Sequence, residues 1–165
     1  MIEQITDLQF KRVCMFINEH RDLMKKLFNI KVNLSSLDLM RSDCSSHFIR
    51  MMDDMDIHHD WIQFEITETG GTENNAGLGM VIDGFMAVGV RLCLDDFGSG
   101  YANLNTVMRL PFSAIKIDRT LLFDICNDKK RAMFYQSIVE TFLRMVYSIV
   151  SEGVETEEEM SLLSS

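Results

Sequence analysis

Residues 90–104 read VRLCLDDFGSGYANL, and the succession of residue types in this stretch decides the fold. Val90 to Leu94 is a short, nearly continuous apolar run, which suits a strand buried on both faces of a parallel sheet. The run ends on two adjacent carboxylates, Asp95 and Asp96. A glycine-bearing loop, DFGSGY, follows, and Ala102 to Arg109 is expected to be a short helix. Strand, acidic end, loop and helix together make one β/α unit.

The same alternation extends in both directions. Upstream, apolar spacing from Leu8 to Phe28 predicts a helix, Ile30–Leu34 a strand, and a second helix capped by Ser35 or Ser36 runs to about Met55. Trp61–Thr67 is a strand, TETGGTENNAG a polar loop, and a helix runs to about Val88 with Gly89 as its C-cap. Downstream, Ala114–Ile117 is a strand, Thr120–Cys126 and Lys129–Met145 are helical, and Val146–Val150 is a strand ending at Glu152-Gly153. Thr156 and Glu159 form the capping box of a last helix. Five strands alternating with helices imply parallel β/α units joined by right-handed crossovers. No internal repeat, linker or domain boundary interrupts them.

Composition narrows the classes of function. At 165 residues, 47% hydrophobic and 25% charged, the chain is long enough for one packed domain and too ordinary in composition for disorder. Taken alone, that length falls short of a full eight-stranded β/α barrel, which needs about 250 residues. The 16 basic against 25 acidic residues give a net charge of −9. Such a surface repels DNA and RNA backbones, and no basic run offers a lipid-binding patch. Four cysteines without a C-x-x-C pair are expected to be reduced thiols in a cytoplasmic protein. No signal peptide and no apolar stretch long enough to span a bilayer is present in this sequence.

Ligands of parallel α/β folds bind at the carboxyl ends of the strands. Asn33 ends the first expected strand; Glu65 lies in the second and Glu68 at its end. Asp95 and Asp96 end the third, Lys116 and Asp118 lie at the end of the fourth, and Glu152 ends the fifth with Glu155 just beyond. Charged groups within strands are costly to bury unless paired, so stability alone does not account for them. Several carboxylates and an amide on one rim are hard oxygen donors suited to Mg²⁺ or Mn²⁺. Two such ions activate water and stabilise a leaving oxygen in phosphodiester hydrolysis. Lys116 is placed to hold that water or offset phosphate charge. The blander reading of each residue is a turn or a solvated helix start, and Glu157–Glu159 suit the latter.

The segments VNLSS (32–36), FEITET (64–69), DDFGSGYANL (95–104), LPFSAIKIDRTL (110–121) and SEGVET (151–156) occur in that order. Together they resemble the EAL domain of bacterial cyclic di-GMP phosphodiesterases, over almost the whole chain. The resemblance implies a TIM-type β/α barrel that hydrolyses cyclic di-GMP to linear pGpG with Mg²⁺ or Mn²⁺. It implies Asn33, Glu65 and Asp95 as ligands of one metal, and Asp95, Asp96 and Glu152 around the second. Lys116 resembles the lysine that holds the nucleophilic water, and Glu68 the glutamate that anchors the loop Phe97–Asn103, a loop the family associates with metal binding and dimer contacts. Glu155 matches the second glutamate of the EGVET motif.

The sequence also departs from the family. No Glu-Ala-Leu tripeptide occurs; in the family it lies on the first strand, where its Glu binds metal, and a substrate-binding Arg is close by. The family continues past the EGVET helix to further strands. The expectation is therefore a partial EAL domain spanning residues 1–165, an incomplete barrel with about five of eight β/α units, with little activity on its own. It would be a piece of a larger multidomain protein, a shortened protein, or a chain that completes its barrel with a second copy, since open sheet edges favour pairing. A non-catalytic module that senses cyclic di-GMP or binds a protein partner is the alternative function. A response-regulator-like domain is disfavoured because the Asp pair follows the third strand rather than the first.

Overall fold

The computed structural model describes residues 2–27, 29–67, 75–100 and 104–164. Five strands, β1 (Ile30–Leu34), β2 (Ile62–Thr67), β3 (Arg91–Phe97), β4 (Ala114–Ile117) and β5 (Ser148–Ser151), form one parallel sheet in the order β1-β2-β3-β4-β5. This order matters. Each strand lies beside its predecessor, and right-handed crossovers then put every connecting helix on the same face. That is the winding of a β/α barrel, not of a doubly wound sheet, whose strand order reverses at a switch point.

The helices are α1 (Ile2–Glu19), α2 (Arg21–Met24), α3 (Ser36–Leu39), α4 (Cys44–Asp54), α5 (Asn75–Met86), α6 (Leu104–Arg109), α7 (Lys129–Arg144) and α8 (Glu157–Leu163). Their buried positions recur at helical spacing: Phe10, Cys14 and Ile17 in α1, Cys44, Phe48 and Met52 in α4, and Val81, Ile82 and Phe85 in α5. They meet the outward residues of the strands, Ile62, Phe64, Ile66, Leu92, Leu94, Ile115 and Ile117, all fully buried. Phe64 sits at the centre, with ring centroids 5.5 Å from Phe10, 5.3 Å from Phe48 and 4.7 Å from Phe85.

The expected elements are present with shifted ends. The helix expected to run from Ser35 or Ser36 to Met55 is two helices. Ser35 and Asp38 make a capping box for α3, which stops at Leu39, and α4 starts at Cys44. An unbroken helix through Leu39 would carry Asp43 to the core; the break advances the phase by one residue and brings in Cys44, Phe48 and Met52 instead. The first expected helix likewise divides at His20, and Thr120–Cys126 is a single 3₁₀ turn, Arg119–Leu121, followed by turns. The capping box of Thr156 and Glu159 forms as expected.

Candidate metal centre

The inner face of the sheet, away from the helices, carries the polar residues. Alternation along the strands directs Lys31 and Asn33 of β1, Gln63 and Glu65 of β2, Cys93 and Asp95 of β3, and Ala114 and Lys116 of β4 to this side. In register, Asn33 lies opposite Glu65, Glu65 opposite Cys93, and Thr67 opposite Asp95.

One irregularity builds the acidic end of β3. Leu94 pairs with Ile115 and Phe97 with Ile117, so three steps on β3 match two on β4, a β-bulge. Asp96 takes up the extra residue at φ +57°, in the left-handed region that aspartate enters more readily than most residues. The bulge has two effects. Adjacent strand residues ordinarily face opposite sides, yet here the carboxylates of Asp95 and Asp96 approach the same point. Phe97 is turned to the helix side, where it is buried with its ring 5.0 Å from that of Phe142.

The centre itself is Lys116. Its ammonium lies 2.7 Å from Glu152 Oε1, 2.8 Å from Asp95 Oδ1 and 3.4 Å from Glu65 Oε2. Oxygen atoms of Asp95, Asp96 and Glu152 lie within 4.8 Å of one another. The ammonium is largely enclosed, as are Glu65 and Asp95. Burial alone would pull the lysine down, but its hydrogen bonds to Asp95 and Glu152 and the charges of Asp95 and Glu65 outweigh that and hold it above the ordinary lysine range. Beneath the cluster, burial first and the charge of Glu65 next push the Cys93 thiol up to about 12, so it stays protonated and inert.

Asp96 is held above the usual carboxylate range, first by burial and then by the charges of Asp95, Asp118 and Glu152, with Lys116 opposing. A carboxyl raised in the fold favours folding while protonated, and that contribution is lost as pH rises through the raised native value. In EDTA at pH 7, Asp96→Asn is therefore expected to raise the melting temperature. The gain should shrink as pH falls through the raised native value. Circular-dichroism melts over a falling pH series check this, and asparagine keeps the left-handed backbone available.

Glycines lock the loops around the centre. Gly98 has φ +96°, and a Cβ there would collide with Leu121 Cδ1. Gly153 has φ +72°, and its Cβ would meet Arg119 Cβ at 2.5 Å. Thr120 Oγ1 donates to Gly98 O at 3.1 Å, and the Thr120 N–H donates to Asp118 Oδ1 at 2.8 Å. The loops after β3, β4 and β5 thus rest on one another.

Of the residues singled out in the sequence, Glu65, Asp95, Asp96, Lys116 and Glu152 converge. Asn33 faces the same side opposite Glu65 but is exposed. Glu155 stands apart, lining a cleft of about 520 Å³ with Arg119, Phe123, Arg131 and Glu159, and its N–H donates to Glu159 Oε2 at 2.8 Å. Glu68 and residues 101–103 of the loop Phe97–Asn103 lie outside the described residues. The sequence reading missed Lys31, whose ammonium is 3.3 Å from Glu65 Oε1. Its signal was the two-residue spacing from Asn33, which puts both on one face.

A singly wound parallel sheet with acidic groups gathered round a lysine at the carboxyl end defines a β/α-barrel-type domain. More particularly, the chain belongs to the EAL domain family, whose model matches residues 1–165. A cyclic di-GMP phosphodiesterase, NbdA of Pseudomonas aeruginosa, is 26% identical over 163 residues, covering 99% of this chain and 21% of that protein. The PaMucR phosphodiesterase in complex with c-di-GMP superposes with a TM-score of 0.78 at 28% identity, covering 98% of this chain and 64% of that one. Klebsiella pneumoniae BlrP1, in a manganese and cyclic di-GMP complex, shares the fold with a TM-score of 0.77 at 24% identity, over 93% of this chain and 41% of that one. The chain spans about a fifth of the length of the curated relatives it matches. Among the described residues no helix is long and apolar enough to cross a membrane.

Proposed function

We propose that the chain carries the metal-binding and water-positioning part of a phosphodiesterase that opens cyclic di-GMP to linear pGpG. The observation that carries this reading is the convergence of Glu65 of β2, Asp95 of β3 and Glu152, just after β5, on the Lys116 ammonium, with Asp96 alongside. The residues fit a divalent ion on chemical grounds. They are hard oxygen donors, and Glu65 Oε1 is a buried oxygen without a hydrogen bond. Glu65, with Asn33 opposite it, and Asp95 would hold one ion; Asp95, Asp96 and Glu152 would hold another. Bound Mg²⁺ or Mn²⁺ would supply an activated water and offset phosphate charge.

The remaining roles fall to the chain's own groups. Lys116 stays protonated at neutral pH, so it acts as a fixed donor: it can orient a water or a phosphate oxygen, and it does not serve as a base. Asp96, with its raised affinity for a proton, is a carboxylate whose charge is costly until a cation offsets it. Glu68 and Glu155 are assigned supporting parts, the first anchoring the loop after the Asp pair. The open edges β1 and β5 are read as covered in the working protein, by further parts of a multidomain chain or by a second copy.

Titration calorimetry of the metal-stripped 165-residue chain with Mn²⁺ tests the reading. The chain should bind Mn²⁺, and Asp95→Asn should weaken binding at least about tenfold, since even outer partners of metal ligands commonly contribute that much. With Mn²⁺ present, cyclic di-GMP should bind while this chain alone releases little pGpG by chromatography. Absence of Mn²⁺ binding at millimolar concentration would sink the proposal.

A further inference from the structure

Glu65 is bracketed by two lysines. Lys116 approaches Oε2 at 3.4 Å and Lys31 approaches Oε1 at 3.3 Å. The register explains the second contact. Lys31 pairs with Gln63, one layer below Asn33 and Glu65, and its four-carbon stem climbs one residue pair along the inner face. Gln63 does not compete for Glu65, because its Nε2 donates to Ser113 Oγ at 3.1 Å. Oε1 is buried and has no hydrogen bond, so the Lys31 contact is a charge pairing without hydrogen-bond geometry.

The two lysines are held differently. The Lys116 side chain is 12% exposed and fixed by Asp95 and Glu152 as well as Glu65. The Lys31 side chain is 40% exposed and pairs with Glu65 alone among the described ion pairs. It can leave for water at little cost, whereas Lys116 cannot. Charge on an edge strand also discourages strand-to-strand aggregation, but that role needs no contact with a buried carboxylate.

We propose that Lys31 sets the metal affinity of the centre: its ammonium holds Glu65 Oε1 while no divalent cation is there and yields it, swinging to solvent, when one binds. This rests on reading the cluster as a divalent-metal centre. The consequence is an affinity weaker than the carboxylates alone would give. Breaking a unit-charge pair such as Lys31–Glu65, 3.3 Å apart, in a water-like medium corresponds to about tenfold in binding. The difference is screened as salt rises, because the Debye length falls to a few Å near 1 M.

The test is Mn²⁺ titration calorimetry of the metal-stripped 165-residue chain and its Lys31→Met, Lys31→Gln and Lys31→Arg variants, at low and high NaCl. Both neutral variants should bind Mn²⁺ about tenfold more tightly at low salt, with most of the gain gone near 1 M. Lys31→Arg should stay within about twofold of the parent, as it keeps the charge. The neutral variants should also melt slightly lower without metal, which a tighter Mn²⁺ affinity caused by general stabilisation would not do. Equal Mn²⁺ affinity in the parent and the neutral variants overturns the role of Lys31 and leaves the metal centre standing. No Mn²⁺ binding by any of the four proteins overturns the metal centre and this inference with it.

Discussion

Replacing Lys116 with methionine is expected to destabilise the metal-free chain by about 3–5 kcal/mol, the usual cost of removing one partner from a buried charge cluster. For a chain of this size that is a drop in melting temperature of roughly 6–20 °C. The cause is the geometry. Glu65, Asp95 and Glu152 lie 3.4, 2.8 and 2.7 Å from one ammonium. Without it, enclosed carboxylates face one another, with Asp96 already held towards its protonated form by burial and then by its acidic neighbours. Methionine fills similar volume, so the loss reports charge more than packing.

Two further measurements separate this account from a loss of packing. Mn²⁺ should restore much of the stability of Lys116→Met, because a ligand that binds only the folded form stabilises it by mass action. The parent should gain less, since its own lysine already occupies the carboxylates. The pH dependence also has a defined sign. A lysine raised in the fold contributes its full stability below the ordinary value of 10.5 and loses it only as pH rises through the higher native value. The difference between parent and variant should therefore be flat from about pH 6 to 9 and narrow in strong alkali. A variant that melts with the parent in EDTA would show that Lys116 is not the counter-charge described here.

What could be read from the sequence follows from what pattern encodes. VRLCL announces a buried strand by a nearly continuous apolar run and WIQFEIT a strand by its alternation, and the carboxylates at the strand ends could be assigned to one rim from topology alone. The bulge at Asp96 had no such signal: its left-handed backbone occurs at a residue that is not glycine, and alternation alone would send Asp95 and Asp96 to opposite faces. The split between α3 and α4 was hidden because a one-residue phase slip leaves the apolar content unchanged. Lys31, inside the short strand Ile30–Leu34, was not singled out. Its meaning depends on the register that sets it one layer below Glu65, and register is a tertiary property. The position of Glu155 outside the cluster depends on the turn at Gly153, whose packing on Arg119 no local pattern states.

Phe64→Ala should be as damaging as the loss of Lys116 while leaving the chemistry of the centre intact. Phe64 is fully buried on the outward side of β2, next in sequence to Glu65 on the inward side. Its ring is in aromatic contact with Phe10, Phe48 and Phe85, from α1, α4 and α5. Truncation leaves a cavity where three helices meet the sheet, and phenylalanine-to-alanine changes in such cores cost about 3–5 kcal/mol. The aromatic pairs add about 0.5–1.5 kcal/mol each beyond burial, so the upper part of that range is expected. Denaturant unfolding in EDTA measures the loss. Because the cavity lies on the helix side, the folded fraction of Phe64→Ala should bind Mn²⁺ with nearly the parent affinity once its folded population is taken into account. Lys116→Met should show the opposite pattern, with Mn²⁺ affinity altered and the aromatic core unchanged. If Phe64→Ala instead weakened Mn²⁺ binding at the level of the folded molecule, the two faces of β2 would be mechanically coupled, and the independence of core and centre argued from strand alternation would fail.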